Sequence, residues 1–263
     1  MRDREEAIYQ AALDAVRCGQ PVALVTVVEA LGAAPREPGA KMLVHADGRT
    51  VGTVGGGASE AWAIDQARDA LTEGCPRLLE RTTDEVCGST MRFFVDVLLP
   101  PPTLLIVGAG HIGQAVASIG AWLGYRIVVL DQREELVSTD RFPDADVRLS
   151  GPLDEESGAV PLTDRTYVVL VTPHHSPDEQ AMSVLAKHPV AYVGLLGSSR
   201  RTEATFARAR EIGVSETFLE QVHTPIGLDI HAETPREIAL SILAEITAVR
   251  RVGMQSMEKS DGR

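Results

Sequence analysis

The segment Gly108-Ala109-Gly110-His111-Ile112-Gly113 has G-x-G-x-x-G spacing and follows an apolar run, Leu104–Val107. A helical pattern opens right after it, over Ile112–Leu123. In that context the first glycine permits a tight strand-to-helix turn. The second lets a pyrophosphate approach the backbone, and the third lets helix and strand pack closely. The N–H groups left bare at the helix start form an anion site without any cation. His111 lies inside this turn and is expected to face a cofactor with the three glycines. Asp131 ends the next apolar run, 21 residues after Gly110, where a carboxylate would accept hydrogen bonds from a ribose diol. Its charge disfavours a 2′-phosphate and points to NAD over NADP, although Arg133, two residues on, could soften that repulsion. The competing reading is that these glycines only pack the fold.

A second glycine cluster, Gly55-Gly56-Gly57, stands between a strand pattern and the helical stretch Ala58–Leu71. Three adjacent glycines cost much conformational entropy on ordering, more than an ordinary turn needs. Their amides could cradle an anion, with Arg36 or Lys41 adding positive charge; the alternative is a strained turn with no ligand. Glu60 complements the start of that helix yet would repel such an anion. Cys87 could offer a reactive thiolate, a soft ligand, or be an inert buried thiol. His175 with Asp178 follows the strand pattern Tyr167–Val171, at the end of a strand where doubly wound sheets bind ligands; otherwise Asp178 is a helix-start acid. Ser198 and Arg200 follow another strand end and would suit a phosphate, unless Ser198 is simply an N-cap. No metal site is expected, since HExxH, HxxxH and CxxC spacings do not occur. No catalytic residue is assigned.

These residues need a scaffold, and the chain offers two. Pro100-Pro101-Pro102 fixes φ and removes three donors, so neither a helix nor a central strand can run through it. Before it lie a helical pattern at Glu6–Arg17, a β-branched run at Val22–Val28, and strand patterns at Lys41–His45 and Arg49–Val54 joined by Ala46-Asp47-Gly48, a hairpin signal. Arg92–Leu99 alternates as a further strand. After it, apolar strands alternate with helices: Leu104–Val107, Ile127–Leu130, Tyr167–Val171 and Val190–Leu195, with helices over Asp178–Lys187, Arg200–Ile212 and Pro235 to about Arg250. Thr234, Pro235 and Glu237 fit a capping box. The expectation is an α/β protein, with a Rossmann-like doubly wound parallel sheet over 104–252 and a smaller N-terminal α+β domain over 1–99. Residues 100–103 are the linker, and 253–263 a frayed tail.

Composition narrows the function. With 25 Lys+Arg against 37 Asp+Glu the net charge is −12, which argues against nucleic acid and anionic lipid as partners. Val97–Tyr125 lacks Asp, Glu, Lys and Arg, but its proline run and five glycines exclude a membrane span. The N-terminus lacks a signal-peptide core, and three cysteines without CxxC spacing indicate no disulfide framework, so a cytoplasmic protein is expected.

The segments Pro35-Arg36-Glu37-Pro38-Gly39-Ala40, Gly52–Glu60, Cys87-Gly88, Val107–Gly113, Tyr192–Arg201 and His223–Pro235 together resemble the XdhC/CoxI family, the xanthine dehydrogenase accessory proteins, over roughly residues 20–250. The resemblance implies a maturation chaperone rather than a catalyst. Such a protein binds the molybdenum cofactor (molybdopterin), helps it receive sulfur from a cysteine desulfurase, and delivers it to an apo-molybdenum hydroxylase. With that cofactor bound, the resemblance implies that Glu60 meets the pterin N–H groups and that Cys87 serves molybdenum or the transferred sulfur. Some relatives handle the cytosine dinucleotide form, so the Rossmann site is left open to NAD or another dinucleotide. A homodimer is admitted, and the residues leave the oligomeric state open. The rival is an NAD-dependent oxidoreductase acting on a small molecule. One departure from the family pattern stands at His231, where the family has glycine; a position that accepts histidine is not expected to need positive φ.

Overall fold

A computed structural model of the chain describes residues 2–32, 36–83, 89–173 and 175–260. The chain splits into two compact units, Met1–Pro101 and Pro102–Arg263.

The first unit is α+β. Its elements are α1 (Arg2–Arg17), β1 (Val22–Leu31), β2 (Lys41–His45), β3 (Thr50–Gly52), α2 (Gly57–Glu73), β4 (Arg77–Thr83) and β5 (Ser89–Leu98). The strands form an antiparallel sheet in the order β3-β2-β1-β5-β4. Alternation along β1 serves two layers, because successive side chains point to opposite faces. Ala23, Val25 and Val27 pack with Ala63, Ala67 and Ala70 of α2, while Val22 joins Leu43 against Ile8, Ala12 and Ala15 of α1. The Asp47-Gly48 hairpin forms as its sequence predicts, with the His45 amide donating to the Arg49 carbonyl at 2.9 Å and Gly48 at φ 86°.

The second unit is a doubly wound α/β layer structure. It comprises β6 (Thr103–Val107), α3 (His111–Trp122), β7 (Arg126–Asp131), β8 (Val147–Ser150), α4 (Leu153–Glu156), β9 (Thr166–Leu170), α5 (His175–Leu185), β10 (Tyr192–Leu195), α6 (Ser199–Glu211), α7 (Glu216–Leu219) and α8 (Pro235–Ser260). The sheet is parallel, in the order β10-β9-β6-β7-β8. All five residues of β6 are buried, as a strand covered on both faces requires. Leu104 and Ile106 pack with Val116 of α3 and Ile242 and Ile246 of α8. Leu105 and Val107 pack with Met182 and Leu185 of α5 and Ala209 of α6. The chain reverses its winding between β6 and β9, which makes their carboxyl ends the switch point where such sheets open a crevice. Beyond β10, His223 adds one parallel bridge to Gly194.

Several elements differ from expectation. The sequence does not announce β4 and β8, because both are short or polar edge strands without an apolar run. The charge-free stretch through Tyr125 divides among β5, β6 and α3, and no described helix is long and apolar enough to cross a membrane. The last helix does not stop near Arg250: α8 continues to Ser260, through the segment expected to fray. Met, Gln, Glu and Lys there are good helix formers, and Gly253 costs only about 1 kcal/mol. Its start matches the capping box, with the Thr234 amide donating to Glu237 Oε2 at 2.8 Å and the Glu237 amide to Thr234 Oγ1 at 3.3 Å. His231 adopts φ 55° after all. Histidine, like Asn and Asp, enters the left-handed region more readily than most residues.

Candidate functional site

The Gly108–Gly113 turn sits at the switch point, and its three glycines do different things. Gly108 has φ 118°, and a Cβ there would lie 2.7 Å from the backbone carbonyl of Val171, just past β9. A Cβ on Gly113 would lie 2.1 Å from the Gly108 carbonyl oxygen, so this glycine lets α3 press onto the turn. Gly110, the N-cap of α3, would have open space around a Cβ. No side chain caps α3 and no acidic residue lies in its first turn, so the positive end of its dipole is left to whatever approaches Gly110. His111 is exposed as the first residue of α3.

Asp131 does not wait for a ribose with free oxygens. Its Oδ1 accepts the Arg133 amide at 3.0 Å and Arg133 Nε at 2.9 Å. Its Oδ2 accepts the Ala109 amide at 2.8 Å and Arg133 Nη2 at 2.8 Å. A carboxylate has about four lone-pair sites, and all are taken. Burial pushes the Asp131 carboxyl up, but the Arg133 side chain and the Ala109 and Arg133 amides outweigh it and hold the group below the usual carboxylate range. The expected diol acceptor is therefore a clamp between the turn and Arg133.

Beside this clamp a cavity of about 220 Å³ opens at the carboxyl ends of β6, β7 and β9. Leu130, Pro152, Leu153 and Pro177 give it apolar walls, and Arg133 and Gln180 supply polar groups. Gln132 Nε2 donates to Gln180 Oε1 at 3.4 Å across its rim.

The glycine cluster of the first unit is arranged in the opposite way. Glu60 Oε2 accepts the Val54 amide at 3.0 Å, the Gly56 amide at 3.1 Å and the Thr53 hydroxyl. The Gly55 amide donates to Thr53 Oγ1 at 3.2 Å. The loop thus already wraps an anion, its own. The Gly55 and Gly56 amides are therefore turned to the loop's own groups and not toward an external anion, and one oxygen of Glu60 serves the loop where a pterin contact was expected. Gly56 and Gly57, at φ 78° and 62°, supply the left-handed backbone that bends the amides inward. Lys41 points elsewhere: its Nζ donates to the Gly39 carbonyl at 3.1 Å and lies 3.8 Å from Glu5 Oε1. Arg36 lies exposed in the connection between β1 and β2. Cys87 falls outside the described residues.

The remaining predicted residues of the second unit divide similarly. Asp178 is fully buried, accepting the Thr172 hydroxyl at 2.7 Å and Arg201 Nη2 at 2.8 Å. Arg201 Nη2 also donates to the Thr172 carbonyl at 2.6 Å. Asp178 therefore ties β9 to α6 instead of facing a ligand, because a buried carboxylate must be paired. His175 opens α5, and its side chain lies outside the described residues. Ser198 is the N-cap of α6, accepting the Arg201 amide at 3.4 Å. Arg200 is exposed on the first turn of α6.

One constellation has no counterpart in the sequence reading. Glu245 of α8 accepts the Tyr192 hydroxyl at 2.5 Å and the Gly227 amide at 2.8 Å on Oε2, and its Oε1 lies 3.2 Å from His223 Nδ1. The Tyr192 and His223 rings stack at 4.5 Å. Burial, then the Glu245 carboxylate, drives the Tyr192 hydroxyl well above the ordinary tyrosine range. The partners are 18 to 53 residues apart in sequence, so no local pattern announces them.

A family model described as "XdhC Rossmann domain" matches residues 104–246, and one described as "XdhC and CoxI family" matches residues 5–81. The chain belongs to the XdhC and CoxI family. The Gly108 turn, Asp131 and Glu245 fall within the XdhC Rossmann stretch, and the Glu60 loop within the other. The chain is 37% identical over 242 residues to the uncharacterized protein YqeB of Escherichia coli K12, which covers 88% of this chain and 44% of that one. It is 28% identical over 162 residues to a Bacillus subtilis protein named as a probable xanthine dehydrogenase subunit, covering 62% and 47%. It is 25% identical over 286 aligned residues to an Escherichia coli protein named molybdenum cofactor insertion chaperone PaoD, covering 95% and 90%. The chain spans less than half the length of YqeB and of the Bacillus subtilis relative. A crystal structure described as a xanthine dehydrogenase from Bacillus halodurans shares the fold, with a TM-score of 0.54 at 19% identity over 92% of this chain and 95% of that one.

Proposed function

We propose that this protein is a cytoplasmic maturation chaperone for a molybdenum hydroxylase of the xanthine dehydrogenase type. It holds the molybdenum cofactor as cargo, presents it for sulfuration by a cysteine desulfurase, and passes it to the apo-hydroxylase. Family membership supports this reading, as does similarity along 95% of the chain to a relative named for molybdenum cofactor insertion.

One observation carries the assignment of the site. Neither glycine turn has a side-chain N-cap and both have open space beside their glycines, but that of α2 carries the Glu60 carboxylate, which takes the Val54 and Gly56 amides, whereas α3 has no acid in its first turn. The cargo's phosphate group is seated on the α3 turn, where the amides of Gly110 and His111 donate to it and the helix dipole favours its charge. The apolar walls of the neighbouring cavity exclude water from the group attached to that phosphate. Cys87 stands in this reading as a soft donor toward the cargo's sulfur or metal, a role for its thiolate form.

The test is anaerobic loading of the purified protein with the cofactor, followed by fluorescence of the oxidised pterin that co-elutes. Near-stoichiometric retention is expected, lost when Gly110 is replaced by a bulky residue, and transfer to apo-hydroxylase should follow the same order. No retention by the unaltered protein overturns the reading. Turnover of NAD with a 2-hydroxy acid or an aldehyde in a parallel assay would favour the oxidoreductase instead.

A further inference from the structure

We propose that the cavity beside Asp131 receives a nucleotide whose ribose carries a phosphate, and that Arg133 is the residue that selects it. This rests on the reading that the α3 turn accepts a phosphorylated ligand, and it goes beyond the chaperone role: the nucleotide and the cargo would use that turn and the neighbouring cavity one at a time.

A free ribose diol needs an acceptor, and the expected one, Asp131, has both oxygens doubly engaged. To reach it, a 2′-hydroxyl must displace either the Ala109 amide, which belongs to the phosphate turn itself, or the bidentate guanidinium. The Asp131 side chain is 7% exposed and that of Arg133 44%, so at this end of the cavity the accessible group is the cation. A guanidinium carries five N–H donors, and Arg133 spends two of them on Asp131. The others are available to an acceptor, and the planar fork of arginine suits phosphate oxygens in particular. Pairing also neutralises Asp131, which removes the repulsion that a bare carboxylate would exert on a 2′-phosphate. The charge rule that favours NAD from sequence is thereby reversed.

The rest of the cavity fits the same ligand. Leu130, Pro152, Leu153 and Pro177 can flank a planar base, with the Gln180 amide within reach of its edge. At about 220 Å³ the space is smaller than the roughly 300–1,000 Å³ of a complete small-molecule site. It therefore holds the nucleoside end, leaving the pyrophosphate to the α3 turn.

The experiment is calorimetric titration of the full chain with NADP⁺ and with NAD⁺ at one ionic strength, then the same pair with Arg133→Met. Wild type should bind NADP⁺ at least about tenfold tighter, the effect of one charge-assisted hydrogen bond. Arg133→Met should prefer NAD⁺, because the released Asp131 oxygens accept the diol and repel the phosphate. NAD⁺ binding as tightly as NADP⁺ to wild type, or an unchanged ratio in the variant, overturns the proposal. If neither dinucleotide binds but inorganic pyrophosphate does, the selection by Arg133 falls and the phosphate crevice stands. If none of the three binds, both fall. Should Arg133→Met not fold, the wild-type ratio alone decides.

Discussion

Glu60 and Gly56 close a turn on itself: the carboxylate accepts the glycine amide at 3.1 Å, and the same oxygen takes the Val54 amide at 3.0 Å. The side chain substitutes for an external anion at the start of α2. Removing it leaves donors without an acceptor, so Glu60→Ala should lower stability by about 1–3 kcal/mol, read from urea denaturation. The Thr53 hydroxyl and the loop amides hold the Glu60 carboxyl below its usual range, although burial, the largest single influence, pulls the other way. With a depressed folded pKa, this stabilisation is complete above the ordinary glutamate pKa and drains away as pH falls through the lower folded value. The stability difference between wild type and Glu60→Ala should therefore shrink from about pH 5 downward. A difference that stays constant would mean the carboxylate contributes nothing in its charged form.

The α3 turn separates folding from binding. Gly110 has φ −76° and open space for a Cβ, so Gly110→Ala should unfold within about 0.5 kcal/mol of wild type while weakening pyrophosphate binding. Gly113→Ala drives a methyl into the Gly108 carbonyl oxygen at 2.1 Å and should cost about 1–3 kcal/mol or more. Thermal melts with and without pyrophosphate distinguish the two.

Asp178 and Arg201 form a pair with one partner wholly buried. Asp178→Ala strands a guanidinium beside the Thr172 carbonyl and should destabilise by about 3–5 kcal/mol. Were Asp178 a ligand-facing group instead, the substitution would be nearly neutral in a denaturation curve.

Glu245 knits α8 to β10 and to the segment after α7. Glu245→Leu leaves the Tyr192 hydroxyl and the Gly227 amide without their acceptor, and should cost about 2 kcal/mol or more. Tyr192→Phe, which removes a single donor, should cost less. In a double-mutant cycle the pair should couple rather than add.

These cases show what a sequence discloses about a site. The β–α alternation after Pro102, the Gly108 turn and the Thr234–Glu237 cap are legible because each is written in local spacing. The packing roles of Gly108 and Gly113 are legible too, since sterics at a strand-to-helix turn leave few choices. What spacing does not disclose is where a carboxylate spends its lone pairs. Glu60, Asp131 and Asp178 all stand where an acid could serve a ligand, and each is engaged by the protein's own donors. Those donors come from side chains and amides whose approach depends on rotamers and packing, not on periodicity. The Tyr192–His223–Glu245 group is hidden for the related reason that three elements must first assemble. β8, with a single short pairing to β7, carries too little apolar pattern to stand out.

The single bridge between His223 and Gly194 has a structural consequence for how copies of this molecule meet. Its two flanking bonds, from the His223 amide to the Val193 carbonyl and from the Leu195 amide to the His223 carbonyl, are each 2.9 Å. The outward peptide groups at those two positions are therefore already spoken for, and a strand from another molecule cannot zip onto that rim. The opposite rim, β8, is four residues long and carries Arg148, a poor template for lengthening the sheet. Lengthening of this sheet through shared backbone pairing is thereby disfavoured at both ends.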